Sequence, residues 1–422
     1  MNELINKIIV GCNDKKSFFI TGPAGVGKTY LVKEIYNELK KNGVGVALTS
    51  TTGINALNLG GITVHKFFGL MNRTDKGYIG FMKSSFLFRG ISMRLAKIDV
   101  VIIDEVSMLR ADTLELIDEI MKQAAKCDKP FGGKSVIFTG DFYQIAPVVK
   151  NYELNKNQWI FNSQSWIEAH INTIILSKMY RQKDERFIQF LQNLRIGELT
   201  KQDEIIIREC EKNNSLSADT TIFFSTNEEC DNWNETKLKK LNGQEYIYEA
   251  EIKQKGHSNK RKKEKESLTR DCIAKQILKI KVGAKVISII NDKDARFVNG
   301  SVGYVTKCNT SGSKKDISVL FDLQTEPVSI KPYVWIKKDL NGRKLATFKQ
   351  VPVIPAYALT IHKSQGLTLD KAIVDCKNIF VSGQLYVALS RVRTMEGLKI
   401  INFHKSQLIV NQEVKEFYDK LK

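Results

Sequence analysis

The sequence predicts an α/β protein in which parallel sheets are flanked by helices, and three observations support this fold class. A glycine-rich loop at 22–29 lies between a short apolar segment and an amphipathic one. Short, continuous apolar runs recur at 45–50, 99–105 and 135–139, and longer segments with helical periodicity separate them. Strands that are apolar on both faces are typical of parallel sheets covered by helices. Their alternation with helices predicts a doubly wound sheet.

The first element is a phosphate-binding loop with the full G-x-x-x-x-G-K-[ST] pattern, Gly22-Pro23-Ala24-Gly25-Val26-Gly27-Lys28-Thr29. Residues 16–21 ahead of it are predicted to form a buried strand, and residues 30–41 behind it an amphipathic helix. In that context the backbone N–H groups at the start of the helix point at a polyphosphate. We expect Lys28 to reach the β- and γ-phosphates and the Thr29 hydroxyl to hold Mg²⁺. Tyr30 is assigned to the same nucleotide site.

Composition narrows the class of protein. The 422 residues allow two to four domains, and 65 Lys and Arg against 46 Asp and Glu give a formal net charge of +19. That surplus favours a polyanionic partner such as nucleic acid, although a lysine-rich protein that is merely soluble is the alternative. Seven scattered cysteines without a C-x-x-C pair predict a reducing compartment, whether cytoplasm, nucleoid or nucleus. The sequence contains no run of 18 uncharged apolar residues, so it predicts no membrane span.

A second buried strand at 45–50 leads into a loop rich in hydroxyl groups, and a similar segment follows at 60–68. Hydroxyl, imidazole and aromatic side chains at strand ends suit phosphate contact and base stacking on a single strand. The candidate DNA contacts in these segments are Thr51, Thr52, Gly53, Thr63, His65 and Phe67. The alternative is that they are turn residues with a phenylalanine of the core. Residues 69–95 are interpreted as a small, irregular insertion.

The apolar strand at 99–105 ends in two acids, Asp104 and Glu105. At the carboxyl end of a parallel strand they are expected to face the phosphate loop across the sheet edge. Asp104 is predicted to hold Mg²⁺ and Glu105 to polarise the attacking water, the alternative being a helix N-cap. Gln144 follows the next strand, at 135–139, and could sense the γ-phosphate.

Six segments then occur in a fixed order, G-P-A-G-V-G-K-T, I-I-D-E-V-S-M, T-G-D-F-Y-Q-I-A-P-V, M-Y-R-Q, A-L-T-I-H-K-S-Q-G-L-T and Y-V-A-L-S-R-V. They resemble motifs I to VI of superfamily 1 DNA helicases of the Pif (petite integration frequency) type, relatives of RecD and of the phage helicase Dda. The resemblance runs from about residue 10 to residue 405. It implies an ATP- and Mg²⁺-dependent helicase that travels 5′-to-3′ on single-stranded DNA. Its implied substrates are single-stranded and forked DNA, and a monomeric motor is expected.

The resemblance also implies two RecA-like domains, with ATP held between them and two insertions. The expected segments are 1–170 for the first domain, about 66–95 for its wedge-like insertion, 171–241 and 353–422 for the second domain, and 242–352 for an SH3-like β-barrel insertion. A basic run at 253–266 precedes the barrel. It could contact DNA phosphates or act as a nuclear signal, or it is simply a solvated loop.

Several residues are singled out by the resemblance alone. Arg181 and Arg391 stand where the family places arginines that reach the γ-phosphate, a contact that can be worth ~10³–10⁵ in rate. Without the resemblance, an arginine in a loop would be taken for a solvated charge. Gln365 and Gly366 are assigned to the nucleotide. The expected DNA contacts of the second half are Thr360, His362, Lys363 and Ser364.

One departure from the family pattern concerns adenine. The family usually carries a glutamine ahead of the phosphate loop that reads this base, and here no Gln precedes Gln123. Either the natural chain starts upstream, or base recognition is relaxed. In the second case GTP or CTP should be used within about tenfold of ATP.

Two rival classes are considered. One is a phosphate-loop ATPase or kinase without translocation, against which Gln144 and the two arginines argue. The other is a non-catalytic nucleic-acid-binding protein, against which the set Lys28, Asp104 and Glu105 argues.

Overall fold

The computed structural model describes residues 2–70, 86–146, 158–254, 266, 268–269, 272–294, 296–310, 315–322, 324–338 and 344–421. Most of the predicted basic run at 253–266, and the first part of the predicted insertion at 69–95, lie outside these residues. The chain forms two compact units. The first comprises Met1–Arg181, Val381–Gly383 and Val410–Lys422, and the second comprises Gln182–Phe380 and Gln384–Ile409.

The first unit is built on a six-stranded sheet in the order β3-β2-β4-β5-β1-β6, in which every neighbouring pair is parallel. Its strands are β1 Phe18–Thr21, β2 Val46–Ser50, β3 Ile62–Thr63, β4 Val100–Asp104, β5 Ser135–Gly140 and β6 Asn172–Ile175. The residues of β1, β2, β4 and β5 are all buried, as continuous apolar runs require in a sheet covered on both faces. The prediction of a parallel α/β sheet is confirmed.

The helices of this part of the chain cover the sheet with apolar faces. They are α1 Asn2–Asn13, α2 Lys28–Lys41, α3 Gly53–Leu59, α4 Val64–Phe68, α5 Phe86–Leu95, α6 Ala111–Ala125 and α7 Gln164–Glu168. Leu31, Val32 and Ile35 of α2, for example, are buried in one cluster with residues of β1 and β4. Helix α5 corrects the expectation that residues 69–95 are irregular throughout. Ile91 and Leu95, one turn apart on α5, are buried, and the helix packs against α6.

The second unit contains a four-stranded parallel sheet in the order β18-β7-β19-β20. Its strands are β7 Ile222–Phe224, β18 Ala358–Thr360, β19 Ala372–Asp375 and β20 Leu398–Ile401. Its helices are α8 Glu185–Ile196, α9 Lys201–Glu211, α10 Asn227–Lys240 and α11 Gln384–Leu389. Thr226 is the N-cap of α10, because its hydroxyl accepts the N–H of Glu229.

Between β7 and β18 the chain forms antiparallel sheets, in the region predicted as a β-barrel insertion. The strands are β8 Tyr246–Glu249, β9 Glu251–Gln254, β10 Ile277–Ile280, β11 Lys285–Ser288, β12 Val302–Asn309, β13 Asp316–Phe321, β14 Val328–Ile330, β15 Tyr333–Lys338, β16 Lys344–Gln350 and β17 Val353–Pro355. They pair in the orders β10-β8, β14-β13-β12-β11-β17 and β15-β16-β9. The strand-rich character expected here is observed, and its SH3-like nature stays a prediction.

The C-terminal helix α12, Gln412–Asp419, differs from the expectation that residues 353–422 all belong with the second half, because it lies in the first unit. Aromatic packing explains its position. The ring of Phe417 stacks on Phe161 with centroids 4.4 Å apart, and it also contacts Phe142 and Phe19. Within the described part of the chain, no helix is long and apolar enough to cross a membrane.

Candidate functional site

The register of the first sheet brings three predicted elements to one edge. Ile20 of β1 and Asp104 of β4 both lie opposite Thr139 of β5. They are therefore at the same level of the sheet, and their backbones are about 10 Å apart, twice the spacing between neighbouring strands. Beyond this level the phosphate loop follows β1, Glu105 follows β4, and Gln144 lies in the loop after β5. The carboxyl ends of the three strands therefore present the predicted nucleotide-binding residues together.

The phosphate loop has the backbone conformation that its glycines permit. Gly25 and Gly27 have φ of 93° and 83°, in the left-handed region that favours glycine. Gly27 is the N-cap of α2 and has no side chain to cap it, which leaves the N–H groups of the first turn for an anion. The Lys28 Nζ donates to the carbonyls of Gly22 at 2.7 Å and Pro23 at 2.9 Å. The ammonium group thus lies over the loop that would hold the phosphates.

The acidic pair combines burial with an unusual backbone. Asp104 is 3% exposed, and its pKa is raised first by burial and then by the neighbouring Glu105 carboxylate. Glu105 has φ 57° and ψ 46°, a left-handed conformation that is uncommon outside glycine. It occupies the N-cap position of a short 3₁₀ helix, Val106–Met108, but its side chain does not make the cap hydrogen bond. Two adjacent carboxylates, one of them buried with a raised pKa, suit a hard divalent cation.

The loop that carries Gln144 is tightly enclosed. Asp141, Phe142, Tyr143 and Gln144 are all buried, and the Gln144 N–H donates to the Asp141 carbonyl at 2.9 Å. Gly383 of the same unit lies against this loop, where a Cβ atom would collide with the carbonyls of Tyr143 and Gln144. The position of Gln144 is therefore set by packing from two parts of the chain.

Tyr180 is a residue of this site that the sequence analysis missed. Its N–H donates to the Gly25 carbonyl at 3.0 Å, and a Cβ atom at Gly27 would lie 3.7 Å from its ring. Tyr180 is 54% exposed, and the Lys178 ammonium lies 5.4 Å from the centre of its ring. Tyr180 belongs to the M-Y-R-Q segment, from which the resemblance singles out only Arg181. Arg181 is half-buried, and the assigned Tyr30 is exposed in the first turn of α2.

Arg391 is buried, whereas a loop arginine is usually solvated. It is 3% exposed; its Nε donates to the Val387 carbonyl and its Nη2 to the Ser390 hydroxyl, both at 2.9 Å. Gln182, also missed in the sequence, is 2% exposed and fixes the backbone on either side of this arginine. Its Nε2 donates to the carbonyls of Ser390 at 3.2 Å and Val392 at 2.8 Å.

The hydroxyl groups predicted to meet DNA in the first unit also have local partners. Thr51 Oγ1 donates to the Glu105 carbonyl at 2.8 Å, which ties the loop after β2 to the acidic pair. Thr52 accepts the Asn55 N–H near the start of α3, which begins at Gly53.

Three further candidate DNA contacts lie around α4. The Thr63 side chain caps this helix by accepting the Lys66 N–H, and His65 is exposed. The Phe67 ring is 4% exposed, packs edge-on against Phe68 and lies under the Arg94 guanidinium. Its burial favours a core role over base stacking.

The candidate residues of the second unit form one tight turn after β18. The buried Thr360 hydroxyl accepts the Lys363 N–H, and the buried Ser364 hydroxyl donates to the Ile361 carbonyl at 2.7 Å. His362 and Lys363 are half-buried, and burial lowers the pKa of His362. Gln365 is half-buried, whereas Gly366 is exposed with φ 79°. Imidazole and ammonium are thus the more accessible donors of this turn.

Comparison with known proteins gives consistent matches over this chain. A family model described as PIF1-like helicase matches residues 1–205. The ATP-dependent DNA helicase Pif1 of Campylobacter jejuni is 31% identical, and the match covers 95% of this chain and 94% of the relative. The ATP-dependent DNA helicase PIF1 of Saccharomyces cerevisiae is 30% identical over 95% of this chain. The match covers 59% of that relative, so this chain spans only part of its length.

Solved structures agree with these matches. A crystal structure of Pif1 from Bacteroides sp in complex with ADP-AlF4 has a TM-score of 0.84 and 29% identity, covering 99% of this chain and 96% of that chain. A crystal structure of Bacteroides Pif1 bound to ssDNA has a TM-score of 0.65 and 29% identity, covering 100% of this chain and 95% of that chain. The resemblance seen in the six motifs and the predicted RecA-like α/β fold class are both confirmed.

Proposed function

The chain belongs to the PIF1-like helicase family, and we propose that it is an ATP-dependent DNA helicase that moves along single-stranded DNA and opens duplexes. One observation carries the proposal. The phosphate loop, the acidic pair and Gln144 meet at one edge of a parallel sheet, which is the arrangement that ATP hydrolysis requires. The Bacteroides structures with ADP-AlF4 and with ssDNA support both the nucleotide and the nucleic acid as ligands.

The nucleotide-binding residues have distinct roles in this proposal. Lys28 exchanges the two loop carbonyls for the β- and γ-phosphates, because its ammonium already lies over the loop. Thr29 and Asp104 would hold Mg²⁺, which would supply positive charge beside the phosphates. The buried Asp104 carboxylate fits that role, since its charged form needs a cation beside it. Glu105 takes the proton of the attacking water. Gln144 senses the γ-phosphate, Arg181 and Arg391 reach it as the family resemblance implies, and Gln365 contacts the nucleotide.

The exposed ring of Tyr180 supplies a surface for the base. Stacking on an aromatic ring is worth roughly 1–3 kcal/mol per base and tolerates any base, because every base has a π-face. This contact supports nucleotide binding without adenine recognition. It favours the interpretation in which GTP and CTP are also accepted.

DNA contacts are proposed for the accessible donors near strand ends. His65 in the first unit, which is exposed, and His362 and Lys363 in the second, which are half-buried, supply the imidazole and ammonium donors of the predicted set. The net charge of +19 supports a polyanionic partner. Forked DNA as a substrate and 5′-to-3′ travel are implied by the family. All seven cysteines are free and five are buried, which supports a reducing compartment.

Hydrolysis of ATP with and without single-stranded DNA tests the proposal against its rivals. We expect single-stranded DNA to stimulate hydrolysis, because a translocating motor couples turnover to its track. Hydrolysis that DNA does not change would favour an ATPase without translocation. Complete absence of hydrolysis would favour a non-catalytic binding protein.

Binding to single-stranded DNA should also weaken steeply with salt. Each phosphate neutralised contributes about −0.7 to the slope of log affinity against log salt concentration for a single strand. A track of six to eight phosphates therefore gives a slope of roughly −4 to −6. Fluorescence anisotropy of a labelled oligonucleotide across a salt series measures this slope. A slope near zero would show that the positive charge serves another purpose.

A further inference from the structure

The C-terminal helix α12 brings a tyrosine hydroxyl to the edge of the first sheet. Tyr418 is 8% exposed, and its hydroxyl lies 2.6 Å from the Thr21 hydroxyl. The same oxygen accepts the Phe142 N–H at 3.2 Å and lies 3.4 Å from the Asp141 carboxylate, to which it can donate. One hydroxyl group thus contacts the ends of two strands, from a helix 397 residues beyond Thr21 and 277 residues beyond Asp141.

The groups it touches lead directly into the nucleotide site. Thr21 is the last residue of β1 and is followed by Gly22 of the phosphate loop. Asp141 and Phe142 follow β5 and lead to Gln144. Thr21 pairs with Gly140, so the Tyr418 hydroxyl links strands β1 and β5 at the point where their pairing ends. The Tyr418 ring adds a second contact with the same loop, because it stacks on Tyr143 with centroids 4.9 Å apart.

Anchoring of the helix does not require these hydrogen bonds. Phe417 already holds α12 through ring contacts with Phe161, Phe142 and Phe19. Burying hydroxyl and carboxylate groups is unfavourable unless they are hydrogen-bonded, whereas phenylalanine and valine could fill the same space without polar atoms. A buried polar network fixes the relative position of its members, since it is stable only when every partner is in place.

We propose that Tyr418 is a positioning residue for ATP hydrolysis, which holds the phosphate loop and the Gln144 loop in register. The proposal rests on the proposed function, because it assigns both loops to ATP. Loss of the Tyr418 hydroxyl should lower kcat, because the residues that contact the nucleotide are unchanged and only their position relative to Gln144 shifts. A change confined to the transition state lowers kcat and kcat/KM together.

Three variants test it: Tyr418→Phe, Thr21→Val and the double variant. We expect each single variant to lower the DNA-stimulated kcat by about tenfold, the effect of one lost buried hydrogen bond. The double variant should be no worse than the poorer single variant, because both remove the same link. Tyr248→Phe is the matched control. Its buried ring also carries a hydrogen-bonded hydroxyl, 3.2 Å from the Asp316 carbonyl, but it lies on β8, in the antiparallel region that contains none of the predicted nucleotide residues.

Thermal unfolding of the same variants separates positioning from stability. Tyr418→Phe and Tyr248→Phe should lower the unfolding temperature alike, and only Tyr418→Phe should lower kcat. A wild-type kcat for Tyr418→Phe, with Lys28→Ala inactive, would show that Tyr418 only anchors α12. Equal losses of kcat in Tyr418→Phe and Tyr248→Phe, or multiplying effects in the double variant, would also overturn the inference. If Lys28→Ala hydrolyses ATP normally, it is the proposed function that fails.

Discussion

We expect Lys28→Ala to lose at least ~100-fold in kcat for ATP hydrolysis, the effect of removing one preorganised donor to a developing charge, and to abolish unwinding. Its affinity for single-stranded DNA should be nearly unchanged. The ammonium group lies over the carbonyls of Gly22 and Pro23, inside the phosphate loop, and the predicted DNA contacts belong to other segments of the chain. Steady-state hydrolysis, strand separation and fluorescence anisotropy on the same preparation measure the three properties.

Lys40→Ala is the matched control for this variant. Lys40 lies on the same helix, α2, three turns from the phosphate loop, and is exposed. The Lys40→Ala substitution removes the same charge as Lys28→Ala, so any effect of net charge on DNA binding should appear in both variants. Unwinding at the wild-type rate by Lys28→Ala would refute the assignment of the phosphate loop.

The second large effect is expected for Glu105→Gln, which should slow hydrolysis by ~10²–10⁴ while nucleotide remains bound. Glutamine has the same size and can adopt the left-handed backbone of this position, but it cannot accept the proton of the attacking water. Loss of the Glu105 charge also removes the second cause that raises the pKa of Asp104, so the Asp104 carboxylate should ionise more readily. Single-turnover hydrolysis and equilibrium nucleotide binding, measured separately, distinguish the two steps.

Glu115→Gln provides the comparison for that change. Glu115 is an exposed carboxylate on α6, and its replacement should leave hydrolysis at the wild-type rate. If Glu105→Gln also turns over normally, the residue has only a structural role at the start of the 3₁₀ helix.

The nucleotide edge was largely predictable from sequence. A strand buried on both faces must be apolar throughout, so β4 and β5 are visible as uninterrupted runs. Parallel strands end at one edge, and this rule alone brings Asp104 to the side of the phosphate loop. Fixed spacing within the loop then identifies Lys28 and Thr29.

The residues that brace this edge could not be predicted, because their partners are distant in sequence. Gln182 binds carbonyls 208 and 210 residues away, and Tyr418 reaches a partner 397 residues away. No periodicity or local motif records such pairs. The position of α12 was missed for the same reason, since an amphipathic helix shows which face is apolar and not which sheet it covers. The burial of Phe67 likewise depends on Phe68 and Arg94, which local sequence alone does not place.

Strand separation of duplexes that carry a single-stranded tail on either the 5′ or the 3′ side, with and without ATP, tests the central claim most directly. Each base pair opened costs about 1.4 kcal/mol of stacking, so separation must be coupled to hydrolysis. We predict ATP-dependent unwinding of the 5′-tailed duplex, little or none of the 3′-tailed duplex, and none with Lys28→Ala. Failure to separate either duplex, under conditions where single-stranded DNA stimulates hydrolysis, would contradict the assignment of this chain as a helicase.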